Sequence, residues 1–141
     1  MINLKIYKHI FNAKGALQLL GELYQDKNQE ELKKAIYSLK KQKDFHLLIA
    51  YQQNEAVAIA CLNSGYLIYC GKYLQLSSLY IKPKFRNLGI VQSLFKKAEQ
   101  IALKTKCSKI ALDSYITNNN SHKTYFRENF SINAYHFVKE L

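Results

Sequence analysis

The chain has 141 residues, 48% of them hydrophobic, and a formal net charge of +11. We predict one folded domain over residues 1–141. No membrane span is expected, because no apolar run approaches about 18–20 residues. No metal site is expected at the three cysteines, because they lack the required spacing. These features indicate a cytoplasmic protein with free thiols and no membrane partner. The positive charge favours an anionic partner but does not choose between nucleic acid, an acidic surface and a polyphosphate cofactor.

The first half of the chain is predicted to form a strand, two helices and a hairpin. Residues 2–9 alternate between apolar and polar side chains, which is typical of a strand. Asn12 can cap a first helix, and Asn28 with Glu31 has the pattern of a capping box that opens a second one. Two apolar stretches joined by a polar turn are predicted to pair as a hairpin: 45–51 and 56–62.

The second half is predicted to continue the sheet and add two helices. Residues 66–70 and 73–81 read as strands with Gly71 at the turn between them. The clearest helix follows Gly89, because its apolar residues recur at helical spacing: Val91, Leu94, Phe95, Ala98, Ile101 and Ala102. The remaining elements are a strand, a helix that Asn129 ends, and a last strand: 109–114, 121–128 and 131–139. This order predicts an α/β domain with a mixed sheet.

A basic loop joins the strand at 73–81 to this helix. It reads Ile81-Lys82-Pro83-Lys84-Phe85-Arg86-Asn87-Leu88-Gly89-Ile90-Val91. The first turn of a helix has unpaired backbone N–H groups and the positive end of the helix dipole, and a glycine there lets a phosphate approach the main chain. Lys82, Lys84 and Arg86 would add attraction. The pattern fits a pyrophosphate site, although an ordinary basic turn has the same local appearance.

The wider arrangement resembles the GCN5-related N-acetyltransferase (GNAT) family. Arg86-Asn87-Leu88-Gly89-Ile90-Val91 is similar to the family signature Arg/Gln-x-x-Gly-x-Gly/Ala, and residues 121–130 are similar to its Ala-x-x-Phe-Tyr-x-x-x-Gly-Phe helix. Two positions depart from the pattern. Val91 replaces the second Gly/Ala, which would crowd the phosphate, and Asn129 replaces a glycine, which is a mild change. The resemblance implies a GNAT fold with about six or seven strands in a mixed sheet and four helices.

The resemblance also implies an enzyme, an acetyl-CoA-dependent N-acetyltransferase that moves an acetyl group directly to a primary amine. Tyr125 matches the family's catalytic tyrosine, which would protonate the departing thiolate as a general acid. Relatives are often dimers, so a homodimer is one form of assembly that the resemblance implies. The residues that it implies for acetyl-CoA binding, through pantetheine or pyrophosphate, are Leu79, Tyr80, Ile81, Arg86, Asn87, Leu88, Gly89, Ile90, Val91 and Asn118.

The general base and the acceptor amine stay open. Many relatives have an acidic residue before the loop, where this chain has Ser77 and Ser78. The other candidates are a water chain and three side chains: Glu22, His122 and Asp113. The family binds its acceptor with the variable N-terminal half, here residues 20–43. Two other classes of function remain open: a catalytically degenerate acyl-CoA-binding protein and a basic nucleic-acid-binding module. The second is less favoured, because the sequence contains no known nucleic-acid-binding motif.

Overall fold

The computed structural model describes residues 1–141, except for the side chain of Phe11. Contacts divide the chain into a larger unit, Met1–Ala111, and a C-terminal unit, Leu112–Leu141. Among the residues that the structure describes, no helix has both the length and the apolar character needed to cross a membrane.

Five strands form one sheet in the order β1-β2-β3-β4-β5: Ile2–Tyr7, His46–Gln52, Glu55–Leu67, Gly71–Ile81 and Lys109–Leu112. The pairs β1–β2, β2–β3 and β3–β4 are antiparallel, so the first four strands lie side by side in chain order. The inner strand β2, between β1 and β3, reads as a continuous apolar run because both of its faces are covered, and five of its seven residues are buried. The predicted α/β fold is confirmed.

The prediction of six or seven strands is wrong, for two reasons. Residues 66–70 form no strand of their own, because β3 continues to Leu67, which pairs with Gly71 at the start of β4. In the described structure residues 131–139 also form no strand, and every residue from 131 to 141 is exposed. Alternating side chains suit a strand, but the strand forms only where a neighbour accepts its backbone hydrogen bonds.

Four helices accompany the sheet, as the resemblance implies: α1 (Ala16–Leu23), α2 (Gln29–Leu39), α3 (Ile90–Lys104) and α4 (Asn119–Arg127). The capping box of α2 is confirmed. The Glu31 amide donates to the Asn28 side chain at 2.9 Å, and the Asn28 amide donates to the Glu31 carboxylate at 2.8 Å. Because the capping groups lie within four residues of one another, the sequence alone sufficed to predict this helix start.

The predicted cap of α1 at Asn12 is wrong. Asn12 ends a short 3-10 turn, Ile10–Asn12, and α1 begins after Gly15 instead. Gly15 has a left-handed φ of 83°, and a Cβ atom at this position would lie 2.5 Å from the Cβ of Ala56 on β3. The chain therefore turns into α1 where it passes so close to the sheet that only glycine fits.

The core lies between the sheet and the helices, and its largest fully buried side chains are Leu19, Leu20, Leu47, Leu48, Ile49, Ile59, Leu62, Leu74, Leu94, Val57 and Cys61. Helix α3 contributes one apolar face, and the structure buries five of the six residues predicted from the helical spacing: Leu94, Phe95, Ala98, Ile101 and Ala102. Ile90 is buried in addition, whereas the predicted Val91 is only half-buried. This packing anchors the first turn of α3, and with it the end of the basic loop.

Leu94→Ala is expected to lower the free energy of unfolding by about 2–5 kcal/mol, because it removes a fully buried side chain and leaves a cavity. Leu103 lies on the same helix but is 78% exposed, so Leu103→Ala should stay within about 0.5 kcal/mol of wild type. Urea unfolding measures both changes. Equal losses would contradict the buried face assigned to α3.

Candidate functional site

Strand β4 is irregular shortly before it reaches the basic loop. The register of the β3–β4 pairing shifts between Ile59 and Cys61, because Ser78 and Leu79 stand opposite a single β3 residue. Ser78 has a left-handed φ of 51°, which is uncommon for a residue with a side chain and recurs at functional sites. The ladder is therefore interrupted at the segment that is predicted to contact pantetheine.

The other edge of β4 is only partly covered by β5. Strand β4 has 11 residues and β5 has four. The amide of Ser108 donates to the carbonyl of Lys72 at 2.9 Å, so β5 starts beside the first residues of β4 and is too short to reach its end. Residues 77–81, which include Tyr80 and Ile81, all stay partly exposed. This end of β4 can therefore offer backbone groups to an extended ligand.

The first turn of α3 lacks the side-chain cap that α2 has. Gly89 is the N-cap residue, with φ 78°, and has no side chain to accept from the amides that follow it. These amides have no partner within the helix, because the first four N–H groups of any α-helix point out of its end. A Cβ atom on Gly89 would have its nearest neighbour, Oε1 of Gln92, at 3.9 Å. The space in front of the amides is open to an anion.

The loop before this helix is held in place by one buried side chain. Pro83–Phe85 forms a 3-10 turn in which Phe85 is buried. Asn87 and Gly89 both have left-handed φ values, 63° and 78°, and they flank Leu88. Turns of this kind can direct several backbone N–H groups at one anion. Leu88 itself is exposed, whereas Ile90 is buried and Val91 is half-buried in the first turn of α3. The groups that this segment could offer to an anion are thus mainly main-chain amides.

The three basic side chains of the loop differ in their surroundings. The Nζ atom of Lys82 lies 2.8 Å from Glu55 and 3.9 Å from Glu22, and the Glu55 bond raises the pKa of the Lys82 ammonium. Lys84 is largely exposed. Nε of Arg86 donates to the carbonyl of Ile81 at 3.0 Å. Contrary to expectation, Glu55 pairs with both lysines of the loop, at 2.8 Å from Lys82 and 3.9 Å from Lys84. Arg86 and the more exposed Lys84 are therefore better placed than Lys82 to attract an anion.

Two hydrogen bonds join α1 to the irregular part of β4. The hydroxyls of Tyr24 and Ser78 share one at 2.8 Å, and the Tyr80 hydroxyl donates to the Glu22 carboxylate at 3.0 Å. Burial, followed by the bond to Glu22, raises the pKa of Tyr80. We call these four residues the α1–β4 cluster. The two partners of each hydrogen bond are 54 and 58 residues apart in the chain, so local sequence patterns could not reveal the cluster.

In the C-terminal unit, Tyr125 is a half-buried residue of α4. Its ring meets the ring of Phe130 edge to face, with centroids 6.1 Å apart. Burial raises the pKa of the phenol, and a hydrogen bond with Ser121 opposes that effect in part. The phenol therefore keeps its proton at neutral pH, as a general acid must. Asn129 has φ 65° and ends the helix in the left-handed conformation that the sequence predicted.

The other predicted residues of this unit have local roles or are open to solvent. Asn118 precedes α4 and is exposed. Nε2 of His122 donates to the carbonyl of Tyr115 at 2.9 Å, so this nitrogen carries a proton and is not free to accept one. A carboxylate oxygen of Asp113 lies 3.6 Å from Nδ1 of His136. Among the three side chains considered as the base, only Glu22 belongs to the α1–β4 cluster.

Comparison with known proteins supplies a family match. Residues 12–130 match the sequence model described as the acetyltransferase (GNAT) family. The thialysine N-epsilon-acetyltransferase of Caenorhabditis elegans is 29% identical over 94 residues, which are 62% of this chain and 59% of that protein. The chain thus matches little more than half the length of this relative.

Two solved structures have a similar fold. An aminoglycoside antibiotic 6'-N-acetyltransferase from Acinetobacter baumannii has a TM-score of 0.82 and 21% identity, covering 100% of this chain and 99% of that one. An aminoglycoside N-acetyltransferase solved in complex with CoA has a TM-score of 0.87 and 14% identity, covering 100% of this chain and 95% of that one. At these identities the likeness establishes the fold alone.

Proposed function

The chain belongs to the acetyltransferase (GNAT) family, and from this premise we propose that it transfers an acetyl group from acetyl-CoA to a primary amine. The observation that carries the proposal is the uncapped start of α3 directly after the partly covered end of β4. The uncapped start of α3 suits a diphosphate, and the partly covered end of β4 suits the extended pantetheine arm with its amide groups. Acetyl-CoA contains both a diphosphate and a pantetheine arm. The named relatives acetylate amines, which supports the same reaction class here.

In the proposed complex, the amides of residues 87–91 bind the pyrophosphate, because the expected Arg86 amide already donates to the carbonyl of Pro83 at 3.2 Å. The side chains of Lys84 and Arg86 add attraction. Pantetheine lies along Leu79–Ile81, where β4 is irregular on one edge and uncovered on the other. A backbone N–H at Leu79 would polarise the thioester carbonyl as negative charge develops on its oxygen. Asn118 is proposed to contact pantetheine on the strength of the family pattern.

The proposed chemistry is direct transfer without a covalent intermediate on the enzyme. The neutral amine attacks the carbonyl carbon of the thioester, a C–N bond forms, and the C–S bond breaks. The departing thiolate takes a proton from the Tyr125 hydroxyl, and the amine nitrogen loses its proton to a base. The raised pKa of Tyr125 supports its role, because the phenol is then protonated when the thiolate leaves.

We propose Glu22 as the residue that receives the amine proton, directly or through water. Its carboxylate accepts from Tyr80 at 3.0 Å, beside the Tyr24–Ser78 hydroxyl pair, and is partly exposed. A carboxylate in this place also attracts an ammonium group, so it can bind the acceptor before deprotonation. The two serines in the position where relatives have an acid cannot act as strong bases, but they can hold a water molecule.

Glu22→Gln is expected to lower kcat/KM for the amine by roughly 10²-fold at neutral pH, because the amide cannot accept the proton. The deficit should shrink as the pH approaches the pKa of the amine, since the amine then arrives deprotonated and needs no base. CoA release, followed with a thiol reagent across this pH range, measures both effects. Acetyl-CoA binding should stay unchanged.

The matched control is Glu30→Gln, which neutralises an exposed carboxylate in the first turn of α2. Wild-type kinetics are expected for it. A Glu22→Gln deficit that is the same at every pH would assign Glu22 to binding or structure rather than to proton transfer, and wild-type kinetics would remove Glu22 from the site.

The competing functions are distinguished by the wild-type chain alone. CoA release that depends on an added primary amine supports the acetyltransferase. Binding of acetyl-CoA without release, whatever amine is added, would indicate a degenerate acyl-CoA-binding protein. Salt-sensitive binding of RNA or DNA that acetyl-CoA does not influence would indicate a nucleic-acid-binding module.

A further inference from the structure

A cavity of about 890 Å³ lies between the start of α1 and the second half of α2. This volume is within the range of about 300–1,000 Å³ that is usual for small-molecule sites. We call it the α1–α2 cavity, and its walls include Ile10, Leu17, Lys33, Lys34, Tyr37 and Ser38. Neither the acetyl-transfer chemistry proposed above nor the packing of the core accounts for an open space of this size.

The floor of the α1–α2 cavity is apolar. Ala13 is 6% exposed and belongs to the hydrophobic core, and it also lines the cavity. Ile10 and Leu17 are partly buried and pack against the same core. On the α2 wall, the aromatic side chain of Tyr37 is 52% exposed. An apolar ligand would therefore be removed from water on both sides of the groove.

The α2 wall is basic, and no acidic residue is found among the described residues that line the cavity. Lys33, Tyr37 and Lys40 follow one another at i, i+4 and i+7, so they share one face of the helix, and Lys34 lies beside them. The Nζ atoms of Lys40 and Lys41 lie 4.6 and 4.5 Å from the centroid of the Tyr37 ring. Lysine stems can cover an apolar ligand while their ammonium groups stay in water at the rim.

The positive charge at this rim has little local compensation. Oε1 of Glu30 lies 3.6 Å from Nζ of Lys33, but both side chains are largely exposed, so the pair is weak. Lys34 forms no ion pair with any residue that the structure describes. Charge complementarity therefore favours an anionic group at the rim, above the apolar floor.

The α1–α2 cavity is separate from the proposed acetyl-transfer site. Its residues on α1 lie at the beginning of that helix, whereas Glu22 and Tyr24 of the α1–β4 cluster lie at the other end. None of its described lining residues comes from β4, the basic loop or α3. One contact approaches the cluster: Nε2 of Gln18, a lining residue, donates to Glu22 at 3.4 Å, which is a long hydrogen bond.

We propose that the α1–α2 cavity binds a medium-chain fatty acid, whose carboxylate accepts hydrogen bonds from Lys33 and Lys34 at the rim. Its alkyl chain lies on the floor, against Ile10, Leu17 and Tyr37. The apolar floor disfavours a purely polar anion such as phosphate, and the basic rim disfavours an apolar cation. An extended chain suits a groove that runs between two helices. The proposal does not depend on acetyl transfer.

Calorimetric titration of the full-length chain with sodium decanoate, below its micelle-forming concentration, tests this site. Wild type should bind one equivalent. Hexanoate has the same carboxylate and a shorter chain, so it should bind roughly tenfold more weakly or worse. Decylammonium has the opposite charge and should not bind detectably. A lack of saturable decanoate binding, or equal binding of decylammonium, would overturn the proposal.

Two charge variants locate the carboxylate. Lys33→Gln, Lys34→Gln should weaken decanoate binding by roughly tenfold, because two exposed ion pairs are lost. The matched control Lys96→Gln, Lys104→Gln removes two lysine charges from exposed positions on α3 and should bind as wild type does. Equal weakening in both variants would show that only the overall charge of the chain attracts the anion, which would refute the site.

Two aromatic variants locate the alkyl chain. Ser38→Phe places a ring in the α1–α2 cavity from an exposed position, so the fold should persist while decanoate binding is lost. Ala35→Phe adds the same ring at an exposed position of α2 that is not among the lining residues, and it should bind normally. Unchanged decanoate binding in Ser38→Phe would place the chain elsewhere on the protein.

Two further measurements separate this site from other places where an acyl chain can bind. Saturating acetyl-CoA should leave decanoate affinity unchanged, and competition between them would place the chain in the proposed cofactor cleft. Flotation with vesicles of phosphatidylcholine and phosphatidylglycerol detects a membrane contact. Binding to these vesicles without binding of free decanoate would indicate a lipid surface as the partner. Either result would overturn the proposal and leave the proposed acetyl transfer untouched.

Discussion

Gly89→Trp is expected to abolish the rise in melting temperature that acetyl-CoA gives the wild-type chain. Gly89 lies at the start of α3 with φ 78°, and the space where its side chain would be is open. An indole there would occupy the volume assigned to the pyrophosphate and block the first amides of the helix. Hydrogen bonds to charged groups contribute about 1.5–3 kcal/mol each, so losing two of them weakens binding by roughly 10²-fold or more.

The control for this variant is Gly71→Trp. Gly71 also has a left-handed φ, 76°, and a Cβ atom there would have no neighbour within 4 Å. Both variants therefore carry the same backbone strain, of about 1–2 kcal/mol, but only Gly89 faces the proposed anion site. Gly71→Trp should keep its response to acetyl-CoA despite a lower melting temperature. If Gly89→Trp also keeps that response, the cofactor binds elsewhere and the proposed site is wrong.

Tyr125→Phe is expected to lower kcat by roughly 10²-fold while acetyl-CoA binding persists, because only the proton donor is lost and the ring remains. Burial raises the pKa of Tyr125 above its ordinary value of 10.0, so the protonated form persists to higher pH than for a free tyrosine. Any alkaline decline of the wild-type rate due to this group should therefore come at higher pH than for a free tyrosine. Thioester consumption and calorimetry measure turnover and binding separately.

Tyr115→Phe is the matched control, because Tyr115 is in the same unit and is 86% exposed. It should have wild-type turnover. Unchanged turnover in Tyr125→Phe would exclude Tyr125 as the acid, and a loss of acetyl-CoA binding would assign its hydroxyl to binding instead. Gly89→Trp and Tyr125→Phe thus examine two separate steps, cofactor capture and release of the thiolate.

Features encoded by neighbouring residues could be predicted from the sequence. The capping box of α2 needs only Asn28 and Glu31, and the buried face of α3 follows from the spacing of its apolar residues. The left-handed end of α4 at Asn129 depends on that residue's own backbone preference. The loop signature and the Tyr125 helix predicted the family, which the match over residues 12–130 confirms.

The tertiary structure decided what depends on residues distant in the chain. Alternation predicts strand-forming segments but not their partners, so it predicts a strand at residues 131–139, where no strand forms in the described chain. Glu22 reaches Tyr80 only because α1 packs beside β4. Lys82 is less well placed to attract an anion because Glu55 lies 2.8 Å away. Local sequence determines backbone conformation and periodicity, whereas pairing and charge compensation arise from contacts that form only when the whole chain folds.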